Sequence, residues 1–148
     1  MFRGTSLHTM DPKGRLIVPS RFRDGIKAGG GSGVMVTRLD GCLKAYPYDE
    51  WRNIEEQIRS ISNRNEKVRR FRRIFIGGAH DCVCDKQDRI LIPPFLREYA
   101  GIHRDVALVG VLEHFEIWSK DRHEQETEAF QADLERGDVR EDIAALRL

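Results

Sequence analysis

The sequence has few cysteines and no long apolar run, and both absences restrict the kind of protein it encodes. Its 148 residues include 3 Cys, an odd number and too few for a disulfide framework, which is typical of a reducing compartment. No stretch approaches the roughly 18 consecutive apolar residues that a membrane-spanning helix needs. The first ten residues also lack the apolar core of a signal peptide. We therefore expect a cytoplasmic protein with no membrane partner.

The modest proline and glycine content and the lack of catalytic motifs exclude further classes of protein. The 5 Pro and 13 Gly exclude a collagen-like or low-complexity chain. A hydrophobic content of 40% is enough to fill the core of one domain of this length. The sequence contains no nucleophile elbow, phosphate-binding loop or H-E-x-x-H motif. We therefore expect a folded protein that is not an enzyme and has no cofactor.

Charge is distributed unevenly along the chain. Residues 1–78 contain 16 Lys and Arg against 8 Asp and Glu, a net of +8, whereas residues 79–148 contain 9 against 16, a net of −7. The overall charge of +1 hides this difference. A segregated charge produces a field that a mixed one does not, so nucleic acid is a candidate partner. Alternatively, the two halves neutralise each other within the fold or between subunits.

A nine-residue motif occurs twice. Asp11–Pro19 reads DPKGRLIVP, and Asp85–Pro93, 74 positions later, reads DKQDRILIP. Both follow the pattern D-x-x-x-R, three aliphatic residues and Pro. Two copies make one pseudo-symmetric unit, because a solenoid needs three or more repeats. We expect a first repeat over residues 1–50, linking helices over 51–78, a second repeat over 79–122 and a helical tail over 123–148.

Turn and helix signals predict the same order of elements in each repeat. A strand precedes each Asp, and the D-x-x-x-R turn joins it to the aliphatic run as a hairpin. Proline then ends the second strand and begins a short helix, Ser20–Arg23 in one copy and Pro94–Ala100 in the other. A second hairpin follows. Because neither repeat has enough apolar area to fold alone, the two should interlock into one barrel-like core.

Three longer helices and a short terminal one are predicted outside the repeats. Apolar residues at helical spacing indicate a helix that begins near Pro47. A second extends from Glu66 to Ile76 and ends at two glycines. A third is capped by Ser119 and ends at Gly137. Residues 138–148 predict a last short helix.

The opening MFRG and the runs DPKGRLIVPSRFR and DKQDRILIPPFLR resemble the MraZ family of bacterial transcriptional regulators. The resemblance extends from Met1 to about Phe130. It implies an α+β fold of the SpoVT-AbrB type, a swapped-hairpin β-barrel with flanking helices. It also implies ring-shaped homo-oligomers that bind short direct repeats in the promoter of their own gene. The expected role is autorepression of the division and cell wall gene cluster, in association with the nucleoid.

The resemblance implies that DNA contact is made by the D-x-x-x-R segments. A narrow hairpin tip can approach a groove, and arginine donates two parallel hydrogen bonds to guanine, so we predict that Arg15 reads a base. Other cations are expected to bind DNA, chiefly its phosphates: Lys13, Arg3, Arg21 and Arg23 with the first copy, and Lys86 and Arg89 with the second. Asp11 and Asp85 are expected to brace their hairpins. The alternative is that each Asp and Arg form only a structural pair.

The second motif departs from the family at one position. Asp88 stands where the family usually has Gly. Its carboxylate would repel phosphate and offer Arg89 a partner within the protein. The sequence therefore leaves open whether the second motif contacts DNA, and we predict tighter DNA binding by Asp88→Gly.

The richest charge cluster lies between the repeats. Arg59–Arg73 contains seven Lys and Arg and one Glu, and as a helix it would place these charges around an apolar stripe. This surface could contact DNA. It could instead pair with the acidic helix Asp121–Glu135 of a neighbouring region or subunit.

Three residues at alternate positions could suggest a metal site. His80, Cys82 and Cys84 lie on one face of a strand, with Cys42 as a candidate fourth ligand. Structural zinc sites favour C-x2-C over C-x-C. We therefore predict no metal, and assign these side chains to the core or to free thiols.

A second function class is compatible with the same motifs. The fold could form a ring that serves as a protein-interaction scaffold without direct DNA readout, since fold alone does not fix function. Phosphate contacts would make binding steeply salt-dependent, whereas a scaffold would show little salt dependence.

Overall fold

Eight strands and six helices form the part of the chain that the computed structural model describes, residues 1–137 and 139–148. In order they are β1 (Phe2–Thr9), β2 (Arg15–Ile17), α1 (Ser20–Ala28), β3 (Gly33–Leu39), β4 (Cys42–Tyr46), α2 (Tyr48–Ser60), α3 (Glu66–Phe75), β5 (His80–Val83), β6 (Arg89–Leu91), α4 (Pro94–Ala100), β7 (Asp105–Leu112), β8 (Phe115–Ser119), α5 (Lys120–Arg136) and α6 (Arg140–Ala144). The predicted α+β class is confirmed.

The strands form two sheets rather than the predicted closed barrel. The larger has the order β1-β7-β8-β4-β3-β5 and is antiparallel throughout. Strands β2 and β6 pair only with each other, as a separate two-stranded ribbon. Each ribbon strand has three residues and, among the described residues, pairs with no strand of the larger sheet, so the ribbon does not connect β1 to β5. The larger sheet therefore stays open, and the prediction of a closed barrel is wrong.

The predicted first hairpin of each repeat is also wrong. β1 pairs along its whole length with β7, from Phe2 opposite Leu112 to Thr9 opposite Asp105. β5 of the second repeat pairs with β3 of the first. An eight-residue ladder satisfies more backbone groups than a three-residue β2 could offer to β1. The D-x-x-x-R turns are present, but the strands on either side of each turn pair with the other repeat.

Both repeats contribute to a single core. In β2 and β6 the middle residues, Leu16 and Ile90, are fully buried, as the alternation of side chains in a strand requires. Phe22 of the first repeat packs against Phe115 of the second, with ring centroids 4.9 Å apart. Since the apolar side chains of each repeat are covered by the other, neither repeat forms a closed core alone.

The helices lie where the sequence predicts them, with small differences in length. α1 extends to Ala28 rather than ending at Arg23. α3 begins at an Asn65 cap and ends at Phe75, and α4 ends at Gly101 in the left-handed conformation. The predicted tail helix includes α6; its Asp138 lies outside the described residues.

The outer face of the sheet carries the long helices. α2 and α3 cover β3 and β4 through a cluster of Tyr46, Trp51, Ile58 and Phe75. α5 covers β7 and β8 and is capped by Ser119, whose Oγ accepts a hydrogen bond from the Arg122 amide at 3.2 Å. Within the described residues, every helix is too short or too polar to cross a bilayer.

Candidate nucleic-acid interface

The first D-x-x-x-R segment forms a compact loop around the Asp11 carboxylate; we refer to Asp11–Arg15 as loop 1. Asp11 Oδ1 accepts hydrogen bonds from the amides of Lys13 at 3.0 Å and Arg15 at 2.9 Å. Arg15 Nε donates to Asp11 Oδ2 at 2.5 Å. The amide of Gly14 donates to the Asp11 carbonyl at 2.9 Å and closes the turn. One carboxylate therefore fixes both the backbone of the loop and its arginine.

The second segment, Asp85–Arg89 or loop 2, repeats this arrangement. Asp85 Oδ1 accepts from the amides of Gln87 at 2.8 Å and Arg89 at 2.9 Å. Arg89 Nε donates to Asp85 Oδ2 at 2.9 Å. The amide of Asp88 donates to the Asp85 carbonyl at 3.0 Å. Asp85 therefore makes the same set of contacts in loop 2 as Asp11 makes in loop 1.

The electrostatics of the two braces are alike. Hydrogen bonds lower the pKa of Asp11, first that from the Arg15 amide, and then those from the Arg15 side chain and the Lys13 amide. For Asp85 the largest cause of its lowered pKa is the amide of Arg89. Both carboxylates are therefore ionised at neutral pH. Among the described residues, Arg15 and Arg89 use only Nε in side-chain hydrogen bonds, which leaves their terminal amino groups available to a ligand.

The ribbon of β2 and β6 brings the two loops together. Arg15 lies opposite Leu91, and Ile17 lies opposite Arg89. These four side chains share the outward face of the ribbon, because the intervening Leu16 and Ile90 point into the core. Diagonal neighbours in such a pair are roughly 7–8 Å apart. The structure therefore presents Arg15 and Arg89 side by side.

A groove of about 610 Å³ adjoins this face. It is lined by Arg15, Ile17 and Arg89 together with His103 and Arg104. The Arg104 carbonyl accepts a hydrogen bond of 2.7 Å from the Met10 amide, which fixes this segment beside loop 1. Sequence reasoning missed Arg104 because it lies outside the repeated motif, where the two copies match only loosely.

Two internal arginines hold the loops against the ribbon. Arg23 Nη1 donates to the Val18 carbonyl at 2.7 Å. Its counterpart 74 positions later, Arg97, donates to the Ile92 carbonyl through Nε at 3.1 Å. Arg23 is half-buried, and both its Nη1 and its Nε face partners within the protein.

Asp88 has a different partner from the one expected. Its carboxylate lies 3.5 Å from Arg23 Nε, whereas Arg89 is paired with Asp85. Asp88 adopts a positive φ of 62°, and the equivalent Gly14 has a φ of 90°. A Cβ atom on Gly14 would lie 2.8 Å from Arg97 Nε and 2.8 Å from the Ile92 carbonyl. Glycine is thus required in loop 1, while in loop 2 an aspartate occupies this position and pairs with Arg23.

The remaining predicted cations fall into two groups. Lys13 and Lys86 are exposed at the tips of loops 1 and 2. Arg3 pairs with Val111 near the opposite end of β1, six residues and therefore roughly 20 Å from Thr9, which adjoins the loops. The guanidinium of Arg21 lies against Gly4 in the same region. The structure does not bring Arg3 and Arg21 together with the ribbon.

The basic run also forms a surface separate from the ribbon. Arg59, Arg69, Arg72 and Arg73 line a groove of about 590 Å³ between α2 and α3, floored by Ile58 and Ile76. Within the described part of the chain, no ion pair joins this surface to α5. Pairing of the basic and acidic helices inside one molecule is therefore not seen.

The cysteines do not form a metal centre. Cys42 and Cys82 are buried free thiols, and burial is the main cause that raises the pKa of each to about 12. Across residues 1–137 and 139–148, no group of three or more His, Cys, Asp or Glu side chains is arranged to hold a metal ion.

Comparison with known proteins gives consistent matches over the whole chain. A family model described as MraZ protein matches twice, over residues 1–74 and 75–142. "Transcriptional regulator MraZ" of Desulforapulum autotrophicum is 54% identical over 148 residues, covering 100% of both chains. The protein of the same name from Desulfosudis oleivorans is 45% identical over the same full lengths. That of Lachnoclostridium phytofermentans is 48% identical over 84% of this chain and 85% of its own.

Proposed function

We propose that this chain, which belongs to the MraZ family, is a sequence-specific DNA-binding transcriptional regulator rather than an enzyme. Its relatives are named as transcriptional regulators, which supports regulation of transcription in general. The finer proposal is an autorepressor of the division and cell wall gene cluster, acting in the cytoplasm at the nucleoid. It binds short direct repeats upstream of its own gene.

The observation that carries this proposal is the pair of equally braced arginines on one outward face. A two-stranded antiparallel ribbon fits the major groove of B-DNA, which is about 12 Å wide. An aspartate fixes Nε of each arginine and orients the guanidinium, so its terminal amino groups can donate in parallel to guanine. Arg15 is the principal reader in this proposal, and Arg89 the second.

Cations around the ribbon supply the sequence-independent part of the affinity. Lys13 and Lys86 at the loop tips and Arg104 beside the groove are exposed and would neutralise phosphates. Arg3 and Arg21 lie at the other end of β1, so they would contact phosphates only if the bound duplex extended or bent toward them. Each contact releases condensed counterions, so affinity should fall steeply as salt rises.

The exchange of strands between the repeats supports the proposed kinship with SpoVT-AbrB folds. β1 pairs with β7, β5 with β3 and β2 with β6, so each repeat completes the sheets of the other. The two reading loops thereby belong to one ribbon in one chain. One such unit offers few cations, and several units on one duplex would raise the effective concentration of each.

Homo-oligomerisation into a ring is the second part of the proposal. The groove between α2 and α3 carries four arginines, while α5 exposes glutamates and the apolar Phe130. These oppositely charged surfaces lie on different helices. Contact between the groove of one subunit and α5 of the next would therefore be head to tail, the geometry that generates rings. This is the pairing between subunits that the charge split suggests.

Binding to the DNA upstream of the gene tests the regulatory function. Fluorescence anisotropy with that duplex and with a scrambled duplex of equal length should show preference for the former. Arg15→Ala should weaken binding roughly 10- to 100-fold. Arg52→Ala, which removes an exposed charge from α2, is the matched control and should have little effect. Equal binding to both duplexes, or equal binding by Arg15→Ala and the parent, would contradict the proposal.

Charge reversal tests the subunit contact separately. Arg69→Glu/Arg73→Glu should reduce the mass of the assembly measured by analytical ultracentrifugation. Combining it with Glu124→Lys/Glu128→Lys on α5 should partly restore that mass, because the attraction is re-established with opposite signs. An unchanged assembly would show that another surface joins the subunits. A scaffold without DNA readout would assemble normally yet show no preference among duplexes.

A further inference from the structure

The ribbon presents two exposed aliphatic side chains that the arginine contacts do not explain. Ile17 is 53% exposed and Leu91 is 57% exposed. They occupy equivalent positions in the two motifs, 74 residues apart. Both lie on the outward face with Arg15 and Arg89, as the burial of Leu16 and Ile90 shows. An outward face built only for charge would not need them.

Their register fixes each aliphatic residue beside an arginine. Ile17 is directly opposite Arg89, and Leu91 is directly opposite Arg15. Directly opposed residues have Cβ atoms roughly 4.5–5.5 Å apart. Residues two apart on one strand, such as Arg15 and Ile17, are separated by roughly 6.8 Å, close to two base-pair steps of roughly 3.4 Å. The four side chains therefore match a patch of two or three consecutive base pairs.

Only one base edge in the major groove offers an apolar group. Thymine carries a C5 methyl there, while the other bases present hydrogen-bond donors and acceptors. An aliphatic side chain that entered the groove without a methyl to cover it would desolvate polar base edges without compensation. The pairing of an arginine with an aliphatic residue therefore suits a guanine adjacent to a thymine.

We propose that Ile17 and Leu91 are specificity-determining residues that contact thymine C5 methyl groups next to the bases contacted by Arg15 and Arg89. This proposal rests on the proposed DNA-binding function and adds a base preference to it. The two residues act by apolar contact alone, so they contribute discrimination that does not depend on salt. The arginines and lysines around them contribute the salt-dependent share.

Replacement of thymine by uracil tests this contact directly. The duplex upstream of the gene is amplified with either thymidine or deoxyuridine triphosphate, which removes each C5 methyl and keeps every Watson–Crick hydrogen bond. Burial of one methyl corresponds to roughly a fourfold change in affinity, so loss of the two contacted methyls should weaken binding of the parent protein to the uracil duplex roughly 15-fold. Ile17→Ala/Leu91→Ala should bind the thymine duplex more weakly and no longer distinguish the two duplexes.

A variant elsewhere on the surface provides the control. Leu112 is 49% exposed and lies at the opposite end of the β1–β7 ladder from the loops, so Leu112→Ala should keep the parent's preference for thymine. Single variants Ile17→Ala and Leu91→Ala should each lose part of it, and thermal unfolding verifies that all variants are folded.

The outcomes separate this proposal from the one on which it rests. Specific, salt-dependent binding that is equal for both duplexes would overturn the methyl contact and leave DNA binding intact. A double variant that still prefers thymine would show that other residues contact the methyls and overturn the assignment. No specific binding to either duplex would overturn the regulatory function and the methyl contact together.

Discussion

Loop 1 and loop 2 have the same backbone and the same brace but different charge. In each, an aspartate accepts two amides and the arginine Nε. Loop 1 contains one acidic and two basic residues, a net of +1, whereas loop 2 contains two of each and is neutral. The two loops therefore share the same hydrogen-bond geometry, but loop 1 attracts a polyanion more strongly than loop 2. In the proposed interface we therefore expect loop 1 to contribute more to DNA affinity than loop 2.

The largest expected effect compares the two arginines. Arg15→Ala should weaken binding to the upstream duplex by about 2 kcal/mol, roughly 30-fold, because it removes a base contact. Arg89→Ala should cost less, about 1 kcal/mol, because loop 2 carries no net charge to hold the DNA close. Fluorescence anisotropy at one salt concentration measures both. Equal losses would mean that the two loops contribute alike.

The second prediction compares the equivalent positions Gly14 and Asp88. Gly14→Ala should lower the free energy of unfolding by about 2 kcal/mol, because φ is positive and the new Cβ would collide with Arg97 and the Ile92 carbonyl. Asp88→Ala should lower it by about 1 kcal/mol, through loss of the Arg23 pair and of a residue tolerant of this conformation. Urea unfolding measures both free energies. A larger loss for Asp88→Ala than for Gly14→Ala would contradict this prediction.

The third prediction concerns acid. Both Asp11 and Asp85 have a pKa below the ordinary value of 3.8, first because an arginine amide donates to each. A lowered folded-state pKa stabilises the fold above the unfolded-state value, and the contribution is lost as pH falls through the folded-state value. Stability should therefore decline below about pH 4. Asp11→Asn and Asp85→Asn should each show a shallower decline in urea unfolding, and curves parallel to the parent's would contradict the brace.

The smallest expected effect is that of Asp88→Gly. It removes a negative charge from loop 2 and gives both loops a net of +1, so DNA binding should tighten about two- to threefold. The free energy of unfolding should change little, because loss of the ion pair with Arg23 is offset by a glycine that adopts the positive φ without strain. Unchanged affinity would place loop 2 away from the duplex.

Local features were predictable from the sequence, whereas strand partners were not. Pro47, Ser119, Gly101 and Gly137 set helix ends through fixed backbone and capping preferences, which act over a few residues. The partner of β1 depends on which distant strand offers the longest ladder, and no local signal carries that information. The closed barrel and the first hairpins were therefore predicted wrongly.

The local contacts of the candidate site were predictable to the same extent. The repeated motif predicts that Asp11 and Asp85 accept hydrogen bonds from nearby amides, because an Asx-type turn needs only neighbouring residues. The pairing of Asp88 with Arg23 joins residues 65 positions apart and depends on β2 meeting β6. Arg104 reaches the groove through the same tertiary arrangement.

The salt dependence of DNA binding tests the central claim most directly. Affinities of the parent and of Arg15→Ala/Arg89→Ala for the upstream duplex are measured between about 50 and 300 mM salt, the range over which counterion release is resolved. We predict that the double variant loses its preference for the upstream duplex over a scrambled one while retaining most of the salt slope, because the remaining cations contact phosphates. A double variant that still prefers the upstream duplex as strongly as the parent would contradict the assignment of base readout to the ribbon.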